Sequence, residues 1–108
     1  GDVVRECLAV DGTGEVVGVI SDSFNRVPLV TTYAADIASN DLPAGIDLTL
    51  EGAAGAVDEG RAMAQIVADI APGATITFAT AGNNPTTFEE NIRTFAALPG
   101  GDASLGNV

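Results

Sequence analysis

The sequence contains no histidine. That excludes a Ser-His-Asp triad built within these residues, and histidine-ligated zinc with it. A single cysteine, Cys7, leaves no partner for an internal disulfide, so no covalent cross-link holds the fold. With no histidine to activate it, Cys7 reads as a small buried apolar residue. Basic residues are scarce: 4 against 15 acidic ones, for a formal net charge of −11. Such a surface repels a phosphate backbone and an anionic membrane alike, which argues against nucleic-acid and membrane partners. It fits solubility, cationic substrates or cation binding, and equally a plain solvated acidic face. No run of about 18 apolar residues occurs, so no helical membrane span is expected. No basic stretch leading into an apolar one opens the chain, and its first residue is Gly1, which reads as a processed or excised start. Phosphate-binding loop patterns are absent too. Gly12-Thr13-Gly14 precedes a strand, whereas a dinucleotide fingerprint follows one.

What is present fits one small domain over residues 1–108, at 46% hydrophobic and 18% charged residues. Residues 3–10 are apolar-rich, consistent with a short helix. Asp11-Gly12-Thr13-Gly14 is turn chemistry, with an aspartate able to bind its own backbone. Val16-Val17-Gly18-Val19-Ile20 is a short β-branched apolar run, the pattern of a strand buried in a parallel sheet. Residues 25–45 are loop-like, with a helical turn or two from Tyr33 to Ala38. Ile46 to Leu50 alternates as a second strand. Asp58 stands where it can cap a helix over 59–70, in which Ala62, Met63, Ile66, Val67 and Ile70 form an apolar stripe expected to face the sheet. Met63 on that stripe reads as core. Pro72-Gly73 ends the helix. Thr75 to Thr80 is a third strand with Ile76 and Phe78 on one face. Thr87 and Glu90 fit a capping box for a helix over 87–97, whose apolar face is Phe88, Ile92, Phe95 and Ala96. An irregular tail follows over 99–108. This order of elements predicts an α/β fold: a parallel sheet with right-handed crossovers and flanking helices.

In an open sheet of this kind, ligands gather beyond the carboxyl ends of the strands. Asp22 sits there, after the first strand. Glu59 opens the helix that follows the second strand, where the positive end of the dipole favours a carboxylate. Asp58 is its neighbour, and Ser21 and Ser23 flank Asp22. From spacing alone these residues fit turn and cap roles as well as chemistry.

Two segments carry a resemblance. Gly18-Val19-Ile20-Ser21-Asp22-Ser23-Phe24 resembles the strand that bears the catalytic aspartate in subtilases. The stretch DEGRAMAQIVADIAPGA, from Asp58 to Ala74, resembles the next catalytic segment, with Glu59-Gly60-Arg61 in the place of His-Gly-Thr and Ala71-Pro72-Gly73-Ala74 at the helix exit. A glutamate in place of the histidine is similar to the sedolisins, acid-active peptidases with a Ser-Glu-Asp set. The resemblance spans about residues 10–97. It departs from the family in three ways. Met63 stands about one turn after Glu59, where sedolisins place their aspartate. Pro99-Gly100-Gly101-Asp102-Ala103-Ser104 replaces a further apolar strand. Neither a Gly-Thr-Ser nucleophile motif nor the oxyanion-hole Asn/Asp occurs.

The resemblance implies part of a subtilisin-like three-layer fold, the N-terminal portion of a serine endopeptidase domain acting on peptide or protein substrates. Glu59 would be the general base toward a serine outside these residues, with Asp22 orienting it and Asp58 and Ser21 in support. Asp22 and Glu59 are then expected within hydrogen-bond range or one water of each other. A carboxylate base has to stay ionised in use, which favours an acidic working pH. The family also implies secretion, and calcium is common in it, but no calcium site falls in the matched segments. No cofactor or metal is expected in this chain. On this reading the chain alone is inactive, and an apolar surface remains for the rest of the domain or for self-association. The alternative is a non-catalytic binding or interaction module on the same scaffold, since a fold does not fix a function.

Overall fold

Short β-branched runs alternating with helical segments build a three-stranded parallel sheet. The computed structural model describes residues 2–27, 30–82 and 84–98. The tail expected over 99–108 lies outside the described residues. In chain order the elements are α1 (Asp2–Leu8), β1 (Val16–Ser21), α2 (Tyr33–Ser39), β2 (Asp47–Leu50), α3 (Glu59–Ile70), β3 (Thr75–Thr80) and α4 (Pro85–Ala96). The sheet order is β1-β3-β2, with both pairings parallel. β1 and β3 run in register from Val16 opposite Thr75 to Ser21 opposite Thr80. This is the α/β arrangement of parallel strands and flanking helices that the sequence predicts.

β3 is central and covered on both faces, so Ile76, Thr77, Phe78 and Ala79 are all buried. Side chains alternate across the sheet. Val19, Ile76 and Phe78 join Ala64 of α3, Phe24, Leu42 and Ile46 in the main core. Gly18 points the other way, where a Cβ would lie 2.9 Å from the Phe95 ring of α4. The two long helices therefore cover opposite faces. Phe24 stacks edge-on against Tyr33 at 5.1 Å and tilted against Phe78 at 5.4 Å. Burying Phe24 and Phe78 completely contributes about 1.5–3 kcal/mol each. The Asp11 turn forms as its residues predict: the Thr13 N–H donates to Asp11 Oδ1 at 2.9 Å, and Gly12 and Gly14 adopt positive φ.

Several expectations are corrected. α3 turns Gly60, Arg61 and Ala64 inward, with Val67 and Ala68 packed against the core. Met63, Ile66 and Ile70 are exposed, so Met63 is not core. Gly60 takes the inward position nearest the sheet because α3 lies close over Phe78 there. Met63 and Ile66, with Val67, line an open apolar groove of about 520 Å³ beside Val17 to Ile20 of β1. In α4 the cap is Asn84, whose side chain accepts from the Thr87 N–H, and Pro85 takes the first position. No capping box forms at Thr87 and Glu90, because the helix has begun two residues earlier. Phe88 is exposed, while Ile92, Phe95 and Ala96 are half-buried. Cys7 is exposed rather than buried, because α1 lies outside the main core.

Candidate functional site

The carboxyl ends of β1, β2 and β3 meet the first turn of α3 at one edge of the sheet. Ser21 is the last residue of β1; its carbonyl accepts from the Ala81 N–H at 2.7 Å. Asp22 follows as an exposed bend, its carbonyl receiving the Thr80 hydroxyl at 2.9 Å. Glu59 is the first residue of α3 and is also exposed. Between them runs one backbone hydrogen bond, from the Gly60 N–H to the Ser23 carbonyl at 3.0 Å. It satisfies one of the orphan donors of the helix start. It also brings the neighbours Asp22 and Glu59 to the same edge. Among the described residues, no hydrogen bond joins the two side chains.

Two glycines permit this approach. A Cβ on Gly60 would lie 2.9 Å from the Ser23 carbonyl oxygen and 3.0 Å from Phe78 Cδ2. One on Gly52, after β2, would lie 2.7 Å from Ser23 Cβ. The preceding Glu51 then folds back over the turn after Asp22. Its carboxylate accepts the N–H groups of Phe24 at 2.9 Å, Asn25 at 2.8 Å and Gly52 at 2.6 Å.

Asp58 does not do what its position suggests. It is the N-cap residue of α3, but its side chain makes no cap hydrogen bond. It is buried instead, and Oδ1 accepts from the Ser23 hydroxyl at 2.8 Å, the Arg26 N–H at 2.6 Å and the Val27 N–H at 3.1 Å. Burial works against its ionised form, but those hydrogen bonds and the Arg61 charge outweigh it and hold the carboxyl below its ordinary value. Asp58 Oδ2 has no hydrogen bond and lies 3.5 Å from Arg61 Nη2.

Arg61, one of four basic residues in the chain, is only 3% exposed. Its guanidinium donates from Nε to the Phe24 carbonyl at 3.1 Å, and from Nη1 to Thr31 Oγ1 at 3.0 Å. Nη2 donates to the Thr31 carbonyl at 2.5 Å. Nη1 also pairs with Asp36 of α2, which is fully buried and receives the Thr31 hydroxyl as well. Two buried carboxylates thus share one guanidinium.

No family model, curated protein or solved structure matches the chain.

Of the residues selected by sequence, Asp22 and Glu59 are exposed carboxylates on segments joined by the Ser23–Gly60 backbone bond, Ser21 acts through its backbone, and Asp58 is interior. The sequence named Arg61 only as part of the Glu59-Gly60-Arg61 motif and Ser23 only as a neighbour of Asp22, and it drew no attention to Glu51 or Asp36. An arginine three residues after an aspartate in a helix otherwise rich in small residues is a signal that could have drawn attention to Arg61. Among the described residues no group of three or more His, Cys, Asp or Glu side chains is placed to hold a metal ion. No helix among them is long and apolar enough to cross a membrane.

Proposed function

We propose that the chain is the N-terminal portion of a subtilisin/sedolisin-like serine peptidase domain and contributes its two acidic site residues. The observation that carries this reading is the juxtaposition of Asp22 and Glu59. Both are accessible, both sit at the carboxyl edge of a parallel sheet, and the Ser23–Gly60 backbone bond ties their segments together. In this role Glu59 takes the proton of a serine hydroxyl supplied from outside the 108 residues, and Asp22 orients the developing acid. The substrate is a peptide bond. Acyl transfer also needs an oxyanion hole, which the serine-bearing part would supply.

The test is to express the chain with the residues that follow it in its gene and assay a mixed peptide library from about pH 3 to 8. General acid–base catalysis contributes about 10²–10⁴-fold, so Glu59→Gln is expected to cut kcat/KM by at least about 100-fold. Asp22→Asn is expected to lower it as well. The 108 residues alone are expected to turn over nothing. Activity that survives both substitutions unchanged rules the assignment out.

One observation favours a second reading, a non-catalytic binding module on the same scaffold. The Asp22 and Glu59 side chains share no hydrogen bond among the described residues, and the cooperative polar network lies beneath them. An extended protein that binds peptides without hydrolysing them would decide for this alternative.

A further inference from the structure

Asp58 and Arg61 flank Glu59 within one helical turn, and both reach across to the segment that carries Asp22. Asp58 holds Ser23, Arg26 and Val27; Arg61 holds Phe24, Thr31 and, through Asp36, the start of α2. Nothing comparable joins Asp22 to Glu59 directly. We infer that Asp58 and Arg61 are positioning residues that fix the Asp22-bearing turn against the first turn of α3 from below.

Three features of the network support this role. First, its members are interior: Ser23 and Asp36 are fully buried, Asp58 and Arg61 nearly so. Buried charge-assisted bonds are short and directional, and they are not screened by salt as surface pairs are. Second, the network is saturated on the side that faces the turn. Asp58 Oδ1 has three donors, and every nitrogen of the Arg61 guanidinium has a hydrogen-bond acceptor. Third, hydrophobic residues could fill such a space at equal or lower free-energy cost, so a buried ion cluster is weak evidence for stability as its purpose. What hydrogen bonds add here is register. A planar guanidinium and a carboxylate set the distance and angle of the chain they hold, which apolar packing does not. The mechanistic meaning of this inference rests on the peptidase reading of Asp22 and Glu59. The mechanical claim does not.

The test uses the 15N-labelled chain and four reporters. Order parameters at the Asp22 and Arg26 amides report the turn. Exchange of the Gly60 amide reports its bond to Ser23, and exchange of the Phe78 amide in the central strand reports global opening. In the wild type the turn is expected to be as rigid as the sheet, with order parameters of about 0.85. Asp58→Ala is expected to drop Asp22 and Arg26 below about 0.6. Gly60 exchange should then accelerate at least about tenfold more than Phe78 exchange, the signature of local rather than global opening. Asp58→Asn keeps an oxygen for Ser23, Arg26 and Val27, and is expected to restore the wild-type order. Ser23→Ala removes one donor without unpairing a charge. It serves as the milder variant should Asp58→Ala fail to fold, and is expected to loosen Gly60 more than Phe78.

A turn that stays rigid in Asp58→Ala or Ser23→Ala overturns the inference. So does equal acceleration of Gly60 and Phe78, or an Asp58→Asn chain as loose as Asp58→Ala. A rigid turn in a longer protein that hydrolyses no peptide would sink the peptidase reading and leave the positioning claim standing. A turn already mobile in the wild type would do the reverse.

Discussion

Gly60→Ala sets helix propensity against packing, and the structure decides the sign. In a helix, replacing glycine by alanine is worth up to about 1 kcal/mol in favour of the variant. Gly60 is the second residue of α3, in its first turn, so only part of that gain is expected. Against it, the new methyl would sit 3.0 Å from Phe78 Cδ2, closer still to Cε2, and 2.9 Å from the Ser23 carbonyl oxygen. Phe78 is fully buried at the centre of the core and has nowhere to retreat. Overpacking of this kind costs about 1–3 kcal/mol. Pushing α3 away also strains the Gly60–Ser23 hydrogen bond, for about 1 kcal/mol more. The net expectation is a loss of about 1–3 kcal/mol, or about 4–8 °C in Tm for each kcal/mol in a domain of this size. Urea and thermal unfolding measure it. Phe78→Leu in the same background should relieve the overlap, so the double variant should be less destabilised than the sum of the two by about 1 kcal/mol. A Gly60→Ala chain as stable as the wild type, or a strictly additive double variant, would refute the close approach of α3 to β3 at this point.

Asp58, with a carboxyl held below its ordinary value of 3.8, stabilises the fold above the pKa it has when unfolded. As pH falls the unfolded chain takes up that proton first, so the contribution is lost as pH drops through the lowered folded value. Urea midpoints at pH 6, 4 and 3 should therefore fall more steeply in the wild type than in Asp58→Asn. Asn84→Ala removes the cap of α4 and should cost about 1 kcal/mol, whereas Glu90→Ala should stay within about 0.5 kcal/mol. Cys7 is exposed, so a thiol reagent should modify it in the native chain within a few-fold of the rate in denaturant.

The strands were readable because their signal is local. Val16 to Ile20 and Thr75 to Thr80 are β-branched runs bounded by turn residues, and the strands form over nearly those positions. The length of α3 was readable for the same reason, from Asp58 to Pro72-Gly73. Which side of α3 faces inward was not. The most hydrophobic positions, Met63, Ile66 and Ile70, would have satisfied periodicity, but the inward side carries Gly60, set close over Phe78, with Arg61 and Ala64, and of the expected stripe Val67 packs against the core. The edge of β1 leaves the larger residues uncovered among the described residues. Asn84 was passed over for Thr87 because a capping box is a stronger pattern than a lone asparagine, yet Asn-Pro opens a helix equally well.

At the candidate site the sequence separates residue type from role only in part. Asp22 and Glu59 could be selected because position alone, after a parallel strand and at a helix start, brings carboxylates to the functional edge of such a sheet. Asp58 fits the same rule and fails it. Its side chain turns inward because Ser23, Arg26 and Val27 offer donors that lie far away in sequence and near in space. Arg61 fails the opposite expectation, that an arginine belongs at the surface. It is interior because Asp36 and Asp58 are there to meet it, and neither partner is stable buried without it. The acidic excess of the chain therefore divides into two populations that the composition cannot tell apart. The solvated carboxylates include Asp22 and Glu59, both exposed at the sheet edge. Asp36 and Asp58 are buried against the Arg61 guanidinium, Asp58 with three donors on Oδ1 alone, and their carboxylates are committed to the interior.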